Sequence, residues 1–162
     1  MGYISVRNAH KEFMKDGEPL TILEDINLDI EKGEFICLLG PSGSGKSTLL
    51  RLIALLEKPT SGNLWLFGKD VTSIQNYTDI YRSMQMMFQN PLAVIPPRMN
   101  LEAFLLESYI NYGLMDVASA KDDIRKWMQR VDLPENTVYK YPHEVSGGQL
   151  QRVVLARIML MN

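Results

Sequence analysis

Apolar residues in the first half of the chain recur with the period of β-strands. Ile26, Leu28 and Ile30 alternate with polar residues, and this period of two predicts a half-exposed strand. The run over residues 35–39 is apolar throughout, which predicts a short strand buried on both faces. Two further strands are predicted over residues 63–67 and 84–88.

Helical spacing of apolar residues begins after residue 45 and dominates the second half. Leu49, Leu50, Ile53 and Leu56 recur at helical intervals and predict a helix that buries this face. Three more helices are predicted, with the buried stripes Leu101, Phe104, Leu105 and Tyr109; Ile124, Trp127, Met128 and Val131; and Leu150, Val153, Val154, Ile158 and Met161. Residues 133–145 include two prolines and are expected to form a loop. The pattern therefore predicts an α/β protein with a helical second half.

Composition and charge narrow the class of protein. The chain has 162 residues, 46% apolar and 22% charged, which is ordinary for a globular domain. Its 17 basic and 19 acidic residues give a formal net charge of -2. Nucleic-acid binding favours a basic excess, so no nucleic-acid partner is expected. The single cysteine, Cys37, cannot form an internal disulfide, and no segment has the pattern of a secretory signal or a membrane span.

A glycine-rich loop between residues 39 and 48 matches the pattern G-x-x-x-x-G-K-[ST] at every fixed position. Its residues are Gly40, Pro41, Ser42, Gly43, Ser44, Gly45, Lys46 and Ser47. Glycines allow backbone N–H groups to face phosphate oxygens, and the following helix adds the positive end of its dipole. We expect Lys46 to reach the β- and γ-phosphates of a nucleotide, Ser47 to bind Mg²⁺ and Thr48 to donate to the α-phosphate. A glycine-rich turn without a ligand is the alternative.

A second glycine pair opens the last predicted helix, in the segment Ser146, Gly147, Gly148, Gln149. Ser146 and Gln149 fit a capping box, and a well-capped helix is the simpler interpretation of this segment taken alone. However, each glycine costs about 1 kcal/mol of helix propensity, and a cap does not need them. They would let a ligand approach the backbone N–H groups at the positive end of the helix.

This segment resembles the signature motif of ATP-binding cassette (ABC) ATPases. The matching residues are Val145 to Gln149, Gln151, Arg152, Ala156 and Arg157, with Val145 where the family usually carries leucine. Residues 87–91 resemble the family's Q-loop. Residues 96–99 and 141–144 resemble the subgroup that serves oligopeptide, dipeptide and nickel importers. The phosphate loop, Q-loop and signature occur in the family's order and span nearly the whole chain.

The resemblance implies an α/β fold of the P-loop NTPase class, with an antiparallel β subdomain and a helical subdomain. Residues 1–90 would hold the β subdomain and P-loop core, and residues from about 91 to 162 the Q-loop, helical subdomain and signature helix. The family continues with a strand that ends in Asp-Glu, and Met161-Asn162 stand where that strand is due. We therefore expect the C-terminal part of the core to be missing. Such a piece should be unstable or self-associating, and should not hydrolyse ATP at a cassette rate.

The resemblance also implies an ATP-binding subunit that couples ATP binding and hydrolysis to the import of a small solute such as a peptide or nickel. Two cassettes, either two copies of this chain or this chain and a sister subunit, would pair head to tail. Ser146, Gly147, Gly148 and Gln149 of one would then close over the γ-phosphate in the other. Gln89 would contact the γ-phosphate and Mg²⁺ and couple to membrane-embedded permease subunits. Lys46, Gln89 and Ser146 are the implied catalytic residues, and Ser47 and Gln89 the implied magnesium ligands. The protein would be cytoplasmic and peripheral on the inner face of the cell membrane.

Phe13 stands where the family commonly carries an aromatic residue that stacks on adenine, and a core position in the first sheet is an equal alternative. Two other functions stay open at this point: a soluble ABC-type ATPase not linked to transport, and a cassette that binds ATP without hydrolysing it. A phosphate-loop kinase or GTPase would leave residues 146–149 unexplained.

Overall fold

The computed structural model describes residues 2–74 and 77–161, which form two units. The first unit ends at Tyr81 and the second begins at Arg82, within a short helix, α2 (Thr78–Ser83). The first unit also contains β1 (Ile4–Lys15), β2 (Glu18–Ile30), α1 (Lys46–Ile53), β3 (Ser61–Leu66) and β4 (Lys69–Asp70). The second unit contains α3 (Leu101–Tyr112), α4 (Val117–Arg130) and α5 (Gly147–Met159), with 3-10 turns at Pro91–Ala93, Glu135–Tyr139 and Pro142–Glu144.

The first unit is built on an antiparallel sheet with the strand order β2–β1–β3–β4. A two-residue turn joins β1 to β2, and both of its residues, Asp16 and Gly17, have positive φ, as a type I′ hairpin requires. Arg7 on β1 bonds both carboxylate oxygens of Asp29 on β2, at 2.7 and 2.6 Å. The alternation predicted over residues 26–30 is confirmed as the end of β2, and the strand predicted over residues 63–67 is found as β3.

The second unit packs its three longer helices around one apolar core. Asn100 caps α3 by accepting a hydrogen bond from the Ala103 N–H at 2.8 Å, and Asp116 caps α4 in the same way. The three helices predicted from spacing are confirmed. Their most buried side chains form the core: Leu101, Phe104, Leu105, Tyr109, Ala120, Ile124, Met128, Leu150, Val153, Val154 and Ala156. The segment predicted as a loop contains two of the 3-10 turns.

Two predicted strands are wrong. Residues 35–39 have no regular structure, and Phe35 and Leu39 are 91% and 88% exposed. A buried strand needs neighbours that bond its backbone N–H and C=O groups, and none of the described strands pairs with this run. Residues 84–88 are likewise outside the four-stranded sheet.

The helix predicted after the glycine-rich loop exists, but its buried face differs from the prediction. Leu50 and Leu56 are 47% and 46% exposed, and the buried side chains are Leu49, Leu52 and Ile53. The reason is that α1 ends at Ile53, so Leu56 lies beyond it, while Leu50 points about 100° away from Leu49 around the axis.

Met1, Gln75, Asn76 and Asn162 lie outside the described residues, as does the strand expected to follow Met161-Asn162. Within the described ranges, no helix has the length and apolar character needed to cross a membrane.

Candidate functional site

The glycine-rich loop turns directly into α1, and Gly45 makes that turn possible. Gly45 caps the helix with φ of 83°, a left-handed conformation that side chains rarely adopt, and its carbonyl accepts from the Leu49 N–H at 2.8 Å. A Cβ atom at this position would also stand 2.8 Å from Leu23 Cδ2 and 2.9 Å from the Ile22 carbonyl oxygen. Backbone conformation and packing therefore both require glycine here.

The loop surrounds an open cavity of about 360 Å³, a volume typical of small-molecule sites. Residues 42–48 line it together with Ile22 of β2. Lys46, Ser47 and Thr48, the first three residues of α1, line this space, and the N–H groups at the start of a helix have no partners within it. The cavity is therefore suited to an anion, which the positive end of the helix dipole stabilises.

The Lys46 ammonium group lies inside the bend of the loop. Its Nζ donates to the carbonyl oxygens of Gly40 and Pro41, at 2.9 and 2.6 Å, and to Ser44 Oγ at 3.1 Å. None of the carboxylates in the described residues forms an ion pair with it. Its positive charge is therefore not compensated by an acid and can attract an anionic ligand.

Ser47 and Thr48 complete the first turn of α1 and both line the cavity. The exposed Ser47 hydroxyl is a hard oxygen donor, which suits Mg²⁺. Among the residues described, no three His, Cys, Asp or Glu side chains cluster as a metal site. A single protein oxygen is still a fit for Mg²⁺, because this ion usually keeps several waters and takes its other ligands from substrate phosphates.

Phe13 lies on β1 opposite Leu20 of β2, and its side chain is 39% exposed. This exposure argues against a core position. Ile22, which lines the cavity, is two residues beyond Leu20, or about 7 Å along a strand. Phe13 is therefore partly exposed on the same pair of strands that supplies Ile22 to the cavity.

Ser146, Gly147, Gly148 and Gln149 belong to the second unit, where they form the first turn of α5. The predicted capping box is confirmed, because Ser146 Oγ accepts from the Gln149 N–H at 3.3 Å and Gln149 Oε1 accepts from the Ser146 N–H at 2.9 Å. A Cβ atom at Gly147 or Gly148 would meet nothing within 4 Å, and neither glycine has a positive φ. Neither packing nor backbone conformation within this chain requires glycine at these two positions.

Gln89 also lies in the second unit, exposed in an irregular segment. It precedes the 3-10 turn Pro91–Ala93, which Asn90 caps by accepting from the Leu92 N–H at 3.1 Å. This turn packs against α5, the helix that Ser146 opens. Gln89 therefore lies two residues before a turn that packs against α5, within the same unit.

A sequence model of the family described as ABC transporter matches residues 23–162. The chain belongs to the ABC transporter family. The match includes the phosphate loop, the Gln89 segment and the α5 N-terminus.

Two curated relatives show how much of an ABC protein the chain spans. It is 36% identical over 141 residues to the di/tripeptide transport ATP-binding protein DppF of Pseudomonas aeruginosa, covering 86% of this chain and 44% of that protein. It is 35% identical over 144 residues to the nickel import ATP-binding protein NikE of Brucella suis, covering 88% of this chain and 54% of that protein. The chain thus spans about half the length of the curated relatives it matches.

The solved structure is that of the ATP-binding cassette MJ0796, a dimer in a post-hydrolysis state bound to ADP and Pi. The two chains share 31% of their residues and superpose with a TM-score of 0.84, covering 95% of this chain and 68% of that one. This likeness confirms the predicted fold class, an ABC cassette with an antiparallel sheet and helices.

Two residues at or near the candidate site were not predicted from the sequence. Ile22 lines the cavity from β2, and Lys11 places its ammonium group over the Phe13 ring. No motif marks Ile22, whose position follows from its packing against Gly45. The spacing of Lys11 and Phe13, two apart on one strand, was the available signal, because such residues share a face.

Proposed function

We propose that this chain is the ATP-binding part of an ABC importer, which couples ATP binding and hydrolysis to the uptake of a small solute such as a peptide or nickel ion. The observation that carries the proposal is the loop at residues 40–47, which leads into the N-terminus of α1 beside one cavity and holds the Lys46 ammonium group by hydrogen bonds to neutral oxygens only. The names of the relatives, which refer to di/tripeptide transport and nickel import, support the class of solute.

The loop would hold the triphosphate mainly through its backbone and Lys46. Lys46 Nζ now donates to neutral oxygens of Gly40, Pro41 and Ser44. Charged phosphate oxygens are stronger acceptors, so the β- and γ-phosphates can compete for this donor while the loop keeps it in place. Mg²⁺, bound by Ser47 and by phosphate oxygens, would neutralise charge on the triphosphate. Thr48 would donate to the α-phosphate, and the exposed face of Phe13 would stack on the adenine base.

The N-terminus of α5 would act on the nucleotide of a second cassette. Nothing within the described chain requires glycine at positions 147 and 148. Because these residues carry no side chain, the backbone N–H groups of this turn are open to close approach by a ligand. A head-to-tail pair would bring Ser146, Gly147, Gly148 and Gln149 of each copy to the γ-phosphate in the other, and both sites would then be complete only in the dimer. The similar cassette MJ0796 was solved as a dimer with ADP and Pi, which supports this assembly.

The membrane partner would be a pair of permease subunits, with the cassettes on the cytoplasmic face. Gln89 is the residue we assign to coupling, since it is exposed and lies two residues before the turn that packs against α5. ATP binding would close the cassette pair, hydrolysis would reopen it, and the permease would convert this cycle into solute movement.

The nucleotide part of the proposal is tested by thermal unfolding of the chain with and without MgATP. A ligand at 100 times its Kd stabilises the folded state by about 2.7 kcal/mol, which raises Tm by roughly 5–10 °C in a chain of this size. Lys46→Ala should abolish this rise. Lys69→Ala is the matched control, because Lys69 is exposed on β4, at the opposite edge of the sheet from β2. An equal rise in the Lys46→Ala variant would remove Lys46 from the site.

The import part is tested by reconstituting the protein with its permease subunits in liposomes. ATP-driven uptake of peptide or Ni²⁺ that requires Lys46 is the expected result. Uptake that is independent of ATP, or export of the solute, would contradict the assignment as an importer.

A further inference from the structure

We propose that Lys11 is a positioning residue for the nucleotide base: its ammonium group holds the Phe13 ring from one face and leaves the other face for a single purine. This inference rests on the proposed binding of ATP at residues 40–47. Nothing in the phosphate-loop, Q-loop or signature motifs involves Lys11.

The contact between Lys11 and Phe13 is a cation–π interaction with a fixed cation. Lys11 Nζ lies 4.7 Å from the centroid of the Phe13 ring, within the range of about 6 Å in which the attraction operates. The same Nζ donates to the Lys58 carbonyl oxygen at 2.8 Å and pairs with Glu57 Oε2 at 3.3 Å. The Lys11 side chain is only 13% exposed, unlike a surface lysine that extends into water. Three partners therefore hold the ammonium group in place.

The two anchors of Lys11 connect it to the phosphate loop. Glu57 and Lys58 follow α1, the helix that begins with Lys46, and the Glu57 N–H donates to the Arg51 carbonyl oxygen at 3.3 Å near the end of that helix. A short run of bonded groups thus leads from the loop through α1 and residues 57–58 to Lys11 and the Phe13 ring. The ring is thereby fixed relative to the same helix that would hold the triphosphate.

A fixed ring improves base binding by lowering its entropic cost. A free phenylalanine side chain on a strand must be immobilised when a base stacks on it, and prior immobilisation removes that cost. Phe13 keeps 39% of its surface exposed although the Lys11 ammonium group lies over its ring, so part of the side chain remains available to a base. Lys11 itself need not touch the nucleotide for this effect, and we assign it none of the phosphate contacts.

The test compares two ligands in five variants of the chain. MgATP uses both the loop and the Phe13 ring, whereas inorganic tripolyphosphate with Mg²⁺ uses the loop alone. Lys11→Met should weaken MgATP binding by about three- to fivefold, the size of an exposed cation–π contact, and leave tripolyphosphate binding unchanged. Lys11→Arg should restore MgATP binding, because a guanidinium group also stacks on an aromatic face. Lys15→Met, on the same strand and exposed, is the matched control and should change neither affinity.

The double variant shows whether Lys11 acts through Phe13. Phe13→Ala should weaken MgATP binding by itself, and adding Lys11→Met should then cause no further loss, because the ring that Lys11 positions is gone. Equal weakening of tripolyphosphate by Lys11→Met would make Lys11 a phosphate contact and overturn the proposal. Additive losses of MgATP affinity in the double variant would also overturn the proposal, as would an unchanged MgATP affinity in Lys11→Met. If the unaltered chain bound neither ligand, the proposed function itself would fall, and this inference with it.

Discussion

Gly45 lies against Ile22 so closely that a Cβ atom on the glycine would stand 2.9 Å from the Ile22 carbonyl oxygen. This contact joins the start of α1 to β2, so the shape of the phosphate loop depends on the sheet beneath it as well as on the loop's own glycines. Gly43, also in the loop, has a similar φ of 82° but no atom within 4 Å of a built Cβ. The two positions therefore separate the effect of packing from that of backbone conformation.

The first prediction uses this pair. Gly43→Ala should lower the free energy of unfolding by about 1–2 kcal/mol, the cost of holding alanine in a left-handed conformation. Gly45→Ala should lose a further 1–3 kcal/mol or so, because the new methyl group overlaps β2. Urea unfolding of both variants measures the difference. Equal losses would mean that the loop does not pack on β2 as described.

The second prediction concerns Gly148 on α5. Gly148→Ala should keep or raise the free energy of unfolding, by up to about 1 kcal/mol, because alanine favours the helix and a Cβ meets nothing there. The same change should weaken association of the chain driven by MgATP, because the methyl group obstructs the approach of a second nucleotide site. Sedimentation velocity with and without MgATP measures this. A variant that gained stability and associated as before would contradict the role of the glycine pair.

The third prediction concerns the core of the helical unit. The Tyr109 hydroxyl donates to Asp123 Oδ2 at 2.6 Å, and the ring is almost fully buried. Tyr109→Phe should lower the free energy of unfolding by about 1.5–3 kcal/mol, the usual worth of a hydrogen bond to a charged group. Tyr112→Phe, one turn along the same helix, is the control. MgATP affinity should be unchanged in both, and a loss of affinity in Tyr109→Phe would mean that the helical core supports the nucleotide site.

The same tyrosine predicts a pH dependence. Burial, together with the neighbouring Asp123 carboxylate, raises the pKa of Tyr109 above its usual value of 10.0. The folded chain therefore keeps the proton at a pH where the unfolded chain loses it, so this stabilisation is complete below pH 10 and is lost as the pH rises towards the folded pKa. The stability of the unaltered chain relative to Tyr109→Phe should fall above about pH 10. A constant difference between pH 9 and 11 would contradict the shift.

Local chemistry could be predicted from the sequence, and pairing between distant segments could not. The capping box of Ser146 and Gln149 and the glycine-rich loop depend on residues a few positions apart, and both were found where predicted. The strand predicted over residues 35–39 depends on neighbours that the local pattern does not contain, so an apolar run alone could not establish it. The exposure of Leu50 was not predicted for a similar reason, because the spacing of apolar residues does not show which side of a helix contacts the sheet.

The surroundings of Phe13 show the same limit in the candidate site. The resemblance to the ABC family placed an aromatic residue at this position, but the pairing of Lys11 with Glu57 and Lys58 joins segments more than forty residues apart. Such a contact follows from the path of the chain after α1, which no short motif encodes. The resemblance therefore indicated the ligand, and the structure indicated how the ring is held.

The most direct test of the central claim, that residues 40–47 grip a triphosphate through their backbone, is a ¹H–¹⁵N NMR titration of the chain with MgATP. The account predicts that the largest amide shifts occur at Gly43, Gly45, Lys46 and Ser47, and that Lys69 on β4 does not shift. Saturating MgATP that leaves these four amides unchanged would contradict it.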